Sequence, residues 1–356
     1  MSNESKQPAA QAKTLSAKQV GNLLLDNALY ILMVIAVIVI QIVNPNFLRP
    51  ASLVNILSQT AAYLPAALGI AGCIVLTGTD LSAGRAVGLT ACISASLLQV
   101  AGSASKMWPE LGTLPVALVI LIAVLLGAAI GAFNGFFVAK FKLHPFIVTL
   151  GTQLILYSCL LLYVQMGNNG GMAISSLDAS YTNFVKGSFI SVPTGNGTST
   201  PIPNYVWFAI LLAVLMWFIW NKTTFGKNLY AVGGNAEAAA VSGISVFAVT
   251  VGAFVLAGIL YGFGSWLECA RMVGSGSAAY GQGWETDAIA ACVVGGVSFT
   301  GGIGKISGVV VGVLIFTALT YSLTILGIDT NLQFVFSGII ILVAVTLDCL
   351  KYVQKK

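Results

Sequence analysis

Apolar and polar residues alternate in long blocks along this chain, and the apolar blocks set the first prediction. A continuous run of about 20 apolar residues spans a bilayer as a helix, whereas membrane strands show apolar residues at every second position. The runs here are continuous, so the pattern predicts an all-α polytopic membrane protein with about ten transmembrane helices. The predicted spans lie at about 24–43, 53–77, 85–101, 114–138, 146–165, 205–220, 246–269, 285–299, 308–326 and 333–350.

Several of these runs are short or contain glycine, so we expect one or two spans to be tilted, broken or re-entrant.

Composition agrees with the membrane assignment. Hydrophobic residues make up 57% of the 356 residues and charged residues only 8%, whereas soluble domains carry about 25% charged residues. A soluble fold is therefore excluded.

The basic residues predict the topology. If the N-terminus lies inside, ten crossings return the C-terminus to the cytoplasm, and twelve of the 16 Lys and Arg residues fall on the inside. This is the expected positive-inside bias. Residues 1–22 are predicted to be a disordered cytoplasmic tail, residues 23–356 the transmembrane domain, 166–204 a periplasmic loop and 221–244 a cytoplasmic loop. The basic residues are scattered, so nucleic acid is not an expected partner.

The cytoplasmic loop 221–244 contains a short helix signal with polar caps. Asn235 is a suitable N-cap, Glu237 places a carboxylate at the positive end of the helix dipole, and Gly243 can end the helix. The helix over 236–242 would be about 10 Å long. Its small side chains would let another protein approach closely, but an ordinary solvated helix has the same pattern. The candidate docking residues are Gly233, Gly234, Asn235, Glu237, Ala238, Ala239, Ser242 and Gly243.

Two polar stretches, 77–85 and 284–304, interrupt the apolar pattern and place acidic residues near the ends of spans. Charged groups are costly in lipid unless they face a cavity or a partner, and interrupted segments of transporters often line the pathway. Helix capping is the alternative, by Asp80 for a helix that opens at Leu81 and by Asp287 at another helix start. The pathway or gate candidates are Thr79, Asp80, Ser82, Glu285 and Asp287.

No motif predicts catalysis, a cofactor or a metal site. The six cysteines occur singly in apolar runs without CxxC spacing, which favours small buried side chains. The segment 301–307 resembles a P-loop, but Phe299 stands where the motif needs Gly and Ile306 where it needs Ser or Thr. GxxxG spacings at Gly127/Gly131/Gly135, Gly258/Gly262 and Gly308/Gly312 predict close helix packing.

Four motifs in order resemble the ribose/galactose-type sugar permeases of bacterial ABC importers. They are TGTDLSAG (77–84), HPFIVTLGT (144–152), TFGKNLYAVGGN with AAAVSGI (224–235 and 238–244), and DAIAACVVGGVSF (287–299). The resemblance runs from about residue 24 to the C-terminus. The form at 78–85, with DCLKY at 348–352, is closest to the galactose/methyl-galactoside branch, because ribose-type members more often read GIDLS at 78–82.

The resemblance implies a permease subunit that carries a hexose, galactose or a methyl galactoside, across the cell inner membrane. Two copies of such a chain, embedded in membrane lipid, pair with an ATPase carrying two nucleotide-binding domains and with a periplasmic sugar-binding protein. The loop 221–244 would carry the helix that couples transport to ATP hydrolysis, so this chain itself would not be an enzyme.

Three alternatives remain. The first is a permease of the same type for another monosaccharide, such as ribose or xylose. A secondary transporter would need acidic residues in mid-span, for which Glu268 is the arguable example. A membrane-embedded enzyme would need a catalytic set, and the sequence shows none.

Overall fold

The computed structural model describes residues 28–195, 198–271 and 279–353, so the predicted tail 1–22 lies outside the described residues. Within these ranges the chain forms thirteen helices and one β-hairpin. The elements are α1 (Ala28–Val43), α2 (Pro50–Val75), α3 (Ala83–Leu97), α4 (Val116–Phe141), α5 (Pro145–Gln165), α6 (Ala179–Lys186), β1 (Ile190–Gly195), β2 (Thr198–Ile202), α7 (Asn204–Lys222), α8 (Thr224–Gly234), α9 (Ala236–Val241), α10 (Val246–Arg271), α11 (Trp284–Val294), α12 (Ile306–Ile325) and α13 (Thr330–Val353).

Each predicted apolar run contains a helix, but the helices differ in length. Within the described part of the chain, six helices are long and apolar enough to cross a membrane: α2, α4, α5, α7, α10 and α12. By contrast, α3 has 15 residues and α11 has 11. Eleven residues reach about 16 Å, roughly half of the ~30 Å hydrocarbon core. Two of the predicted spans therefore contain short helices, whereas tilted, broken or re-entrant spans and ten full crossings remain predictions.

Helix α10 lies at the centre of the bundle and packs closely against α2 and α4. Gly69 of α2 lies against Ala257, and Pro65 lies against Gly264, so α2 and α10 run antiparallel. A Cβ atom on Gly127 of α4 would lie 2.9 Å from the Gly258 carbonyl carbon of α10. Only glycine allows such an approach between two helix backbones, and the predicted role of these GxxxG spacings in packing is confirmed.

The segment 166–204 is not a simple loop. Its residues form α6 and an antiparallel hairpin in which Ile190 of β1 pairs with Ile202 of β2. The all-α prediction is wrong at this point, because the polar and Gly/Pro-rich composition hid a short run rich in β-branched residues. Tyr181 of α6 donates a hydrogen bond to the Trp266 carbonyl of α10, which fixes this folded unit to one end of the bundle.

Candidate functional site

The segment 221–244 contains two helices, α8 and α9, where the sequence predicted one. The Thr223 side chain accepts a hydrogen bond from the Gly226 N–H at 3.2 Å and caps the start of α8. Helix α8 was missed because glycine and polar residues dilute its pattern. The signal was nevertheless present: Phe225, Leu229 and Val232 follow helical spacing, and Leu229 and Val232 are buried, as one face of a helix requires.

Both predicted caps of α9 are present. The Asn235 Oδ1 atom accepts a hydrogen bond from the Ala238 N–H at 2.9 Å. At the other end Gly243 has a φ of +82°, a left-handed conformation that glycine adopts without strain. The Ile244 N–H donates to the Ala239 carbonyl at 3.0 Å and the Gly243 N–H donates to the Ala240 carbonyl at 3.0 Å. This is a Schellman motif, and the short helix therefore has both ends fixed by hydrogen bonds.

The surface of α9 differs from the predicted docking surface at one position. Ala239 is only 4% exposed and contacts its own chain. It is therefore a packing residue and does not belong to the exposed face, a correction that required the tertiary structure. Glu237, Ala238 and Ser242 are exposed. Val241, which the sequence interpretation missed, is 92% exposed and gives the helix an apolar tip.

Helix α8 is held against the end of α2 and the loop that precedes α12. The Tyr230 hydroxyl donates to the Gly304 carbonyl at 2.8 Å, and the Gly302 N–H donates to the Val75 carbonyl at 2.8 Å. A Cβ atom on Gly233 would lie 2.8 Å from the Gly302 nitrogen, whereas one on Gly234 would meet nothing within 4 Å. The two neighbouring glycines thus have different roles: Gly233 is a contact point and Gly234 is exposed.

The candidates at 79–82 lie in a buried hydrogen-bond network. The Asp80 Oδ1 atom accepts hydrogen bonds from the Ser82 N–H at 2.9 Å and from the Ser82 hydroxyl at 2.6 Å. The Asn134 amide of α4 donates to the Ser82 hydroxyl at 2.8 Å, and the Thr152 hydroxyl of α5 donates to the Asn134 carbonyl oxygen at 2.6 Å. Asp80 and Ser82 are fully buried. The network joins this loop to two neighbouring helices.

This geometry corrects the proposed helix start. Helix α3 begins at Ala83 rather than at Leu81, so Asp80 stabilises a turn just before the helix through the Ser82 N–H. Thr79 is partly buried, and its hydroxyl has no hydrogen-bond partner among the described residues. In this conformation Asp80 and Ser82 therefore act as structural groups, and a role in the pathway stays a prediction.

Glu285 and Asp287 lie in the first turn of α11, so Asp287 is at a helix start as expected, but the N-cap residue is Gly283 and no side chain caps the helix. The Gln153 amide of α5 donates to the Glu285 carboxylate at 3.3 Å. The start of α11 meets the start of α3, because a Cβ atom on Gly84 would overlap the Glu285 carboxylate. Two positive helix ends therefore face each other, and carboxylates near such ends stabilise them. Asp287 instead lines a separate cavity beside Tyr63.

Comparison with known proteins gives one family and a set of near full-length relatives. Residues 52–345 match the family described as the branched-chain amino acid transport system / permease component. The chain is 43% identical over 342 residues to the galactose/methyl galactoside import permease protein MglC of Escherichia coli (strain K12), covering 96% of this chain and 99% of that protein. Its Haemophilus influenzae counterpart is 43% identical, covering 94% of this chain and 97% of that protein.

A second group of relatives is more distant. The ribose import permease protein RbsC of Bacillus subtilis is 35% identical over 316 residues, which cover 88% of this chain and 89% of that protein. No solved structure matches this chain. The family match covers most of the chain and the relatives span nearly its full length, so this chain belongs to the branched-chain amino acid transport system / permease component family.

Proposed function

We propose that this chain is the membrane permease subunit of an ABC importer that carries galactose or methyl galactoside across the cell inner membrane. The observation that carries the proposal is the near full-length similarity to galactose/methyl galactoside import permeases, which exceeds the similarity to ribose import permeases. Within a family of common fold, the sugar is best inferred from the nearest sequences, since the fold alone does not specify function.

The partner set follows from this assignment. Two copies of the chain form the pathway, an ATPase with two nucleotide-binding domains drives it, and a periplasmic binding protein delivers the sugar. The exposed part of α9 docks onto the ATPase. Its fixed caps and the apolar Val241 tip support this role, because a rigid element with an exposed apolar residue loses little entropy when it binds. Helix α8 then transmits the contact to α2 through Gly233 and to the loop before α12 through Tyr230.

The unit formed by α6 and the hairpin supplies the outer surface for the binding protein. Phe189, just before β1, is 85% exposed, and exposed aromatic residues are frequent anchors of protein interfaces. On this assignment 166–204 lies in the periplasm and 221–244 in the cytoplasm. The candidates Thr79, Asp80, Ser82 and Glu285 hold the junction of α3 and α11 beside the pathway.

Uptake by the reconstituted complex tests the proposal. Liposomes contain the permease and its ATPase, ATP is enclosed, and labelled galactose is supplied with the binding protein. We expect ATP-dependent uptake that unlabelled methyl galactoside inhibits more strongly than ribose, xylose or glucose does. Stronger inhibition by ribose or xylose would identify another monosaccharide permease. Uptake driven by a proton gradient without the ATPase would identify a secondary transporter.

A further inference from the structure

A small polar cavity lies between α2, α11, α12 and α13, away from the Asp80 network. Its volume is about 190 Å³, which at about 30 Å³ per water molecule corresponds to roughly six waters. That is the scale of one monosaccharide and is too small for a disaccharide. The polar and aromatic residues that line it include Gln59, Tyr63, Gln282, Trp284, Asp287 and Gln333.

The cavity extends from the middle of α2 to one end of the bundle, where Thr324 of α12 and Gln333 of α13 line it. Tyr63 lies thirteen residues after Pro50 and twelve before Val75, at the middle of α2. At 1.5 Å per residue it is about 18–20 Å from either end of the helix. An amide or a carboxylate beside the middle of a membrane helix is costly unless it faces water, a partner or a ligand. Gln282 is exposed and the Gln333 amide donates to the Thr324 hydroxyl and the Ile328 carbonyl, so it is Gln59 and Asp287, beside Tyr63, that favour a polar occupant.

The chemistry of the lining fits a sugar ring better than an ion or an apolar solute. The rings of Tyr63 and Trp284 have centroids 4.5 Å apart with their planes inclined by 35°, and both contribute to the lining. Aromatic rings pack against the C–H face of a sugar. The glutamine amides can donate and accept hydrogen bonds, and the Asp287 carboxylate can accept them. Neighbouring hydroxyl groups of one sugar need this combination of donors and acceptors.

We propose that this cavity is a sugar-recognition site within the translocation pathway, and that it takes a monosaccharide through its hydroxyl groups and its C–H face. The inference rests on the proposed function and deepens it, because it assigns part of the sugar selectivity to the permease itself. Gln59 is the residue that best tests it, since it lies one helical turn from Tyr63 and on the same face of α2.

The first experiment compares two amide residues of α2 in the reconstituted complex. Gln59→Leu removes a lining amide. Asn55→Leu is the matched control, because Asn55 is one turn away, is exposed, and donates a hydrogen bond to the Tyr321 hydroxyl. We expect Gln59→Leu to lower galactose uptake about three- to tenfold, as the loss of one or two hydrogen bonds would. The ratio of galactose to glucose uptake should also change, whereas a general structural defect would lower both rates equally.

The second experiment measures protection by the sugar. Gln59→Cys is exposed to a small polar thiol reagent with and without methyl galactoside during ATP turnover, and the wild-type chain gives the background from its exposed Cys159. Sugar should slow modification of Gln59→Cys and leave Asn55→Cys unaffected. This measurement decides the question even if Gln59→Leu does not assemble.

The outcomes separate this inference from the proposed function. If the wild-type complex carries no galactose, the proposed function fails, and both measurements are repeated with the sugar that the complex does carry. If the wild-type complex carries galactose while Gln59→Leu matches Asn55→Leu in rate and selectivity, the cavity is not a recognition site. Equal modification of Gln59→Cys with and without sugar, or no modification in any state of the cycle, overturns the inference as well.

Discussion

Gly233→Ala should disrupt the contact between the segment 221–244 and the membrane helices. The added Cβ atom would lie 2.8 Å from the Gly302 nitrogen and 2.9 Å from the Val75 carbonyl carbon, where real Cβ atoms essentially never come within 3.0 Å. Both obstructing atoms belong to the backbone, so neither can rotate away. Helix α8 must therefore move away from its contact with the end of α2. Overpacking of this kind costs about 1–3 kcal/mol.

The neighbouring residue provides a matched control. Gly234→Ala adds the same methyl group one position later, where nothing lies within 4 Å. Alanine also favours a helix by up to about 1 kcal/mol relative to glycine, so Gly234→Ala should be neutral or slightly stabilising. Both variants replace glycine with alanine, and only the one at Gly233 places the new methyl group against backbone. The comparison therefore separates the effect of the contact between α8 and α2 from the effect of the substitution itself.

The assay measures sugar uptake and ATP hydrolysis by the same reconstituted complex. A cost of about 1–3 kcal/mol shifts an equilibrium about 5–150-fold, so we expect Gly233→Ala to reduce the sugar carried per ATP by a factor in this range. Gly234→Ala should keep the wild-type ratio. Thermal unfolding of each permease checks that both variants are folded. If Gly233→Ala and Gly234→Ala carry sugar equally well per ATP, the contact between α8 and α2 does not transmit the coupling.

Three further predictions address the exposed tip, the buried network and the topology. Val241→Asp should weaken co-purification of the ATPase about tenfold or more, because burying a valine contributes about 1.5–3 kcal/mol. The unfolding free energy of the permease alone should change by less than about 0.5 kcal/mol. Unchanged binding would show that Val241 is not part of the interface. Asp80→Asn should keep near-normal uptake, because its Oδ1 can still accept both hydrogen bonds from Ser82. Asp80→Ala, which cannot accept them, should lose about 1–3 kcal/mol of stability. A folded but inactive Asp80→Asn would show that the charge itself is needed. An impermeant thiol reagent should label Ser176→Cys from outside but not Asn235→Cys, and outside labelling of the latter would reverse the proposed topology.

Local features were predictable from the sequence where one physical requirement dominates. Each apolar run contains a helix, because a backbone surrounded by lipid must satisfy its hydrogen bonds within the segment. The caps at Asn235 and Gly243 were predictable because they depend on residues only a few positions apart. The hairpin at 190–202 and helix α8 were missed because polar and glycine-rich composition outweighed their weaker periodic signals.

Apart from the close packing at the GxxxG glycines, the sequence pattern did not predict which residues contact each other in the folded chain. The sequence does not distinguish among the eight candidate docking residues, yet Ala239 contacts its own chain, and a Cβ atom would meet backbone at Gly233 but not at Gly234. The sequence also does not show which acidic residues lie near each other in the folded chain. Asp80 and Glu285 are far apart in sequence but lie near the facing starts of α3 and α11, and Asp287, two residues after Glu285, faces another cavity. Glycines at Gly84, Gly88 and Gly281 allow this close approach.

Helix α2 connects the two regions to which function is assigned. Its C-terminal end at Val75 contacts α8, and Tyr63 near its middle lines the cavity. Pro65 lies between them, and a proline removes one backbone hydrogen bond from a helix interior. A displacement of α8 by the ATPase would reach the cavity through this helix, and the missing hydrogen bond makes bending near Pro65 easier than elsewhere along it. The cavity would then change shape next to Tyr63 while the glycine contacts between α4 and α10 stay in place. A sugar held there by hydroxyl hydrogen bonds would be released by small shifts, because those bonds weaken steeply as their angles depart from linearity.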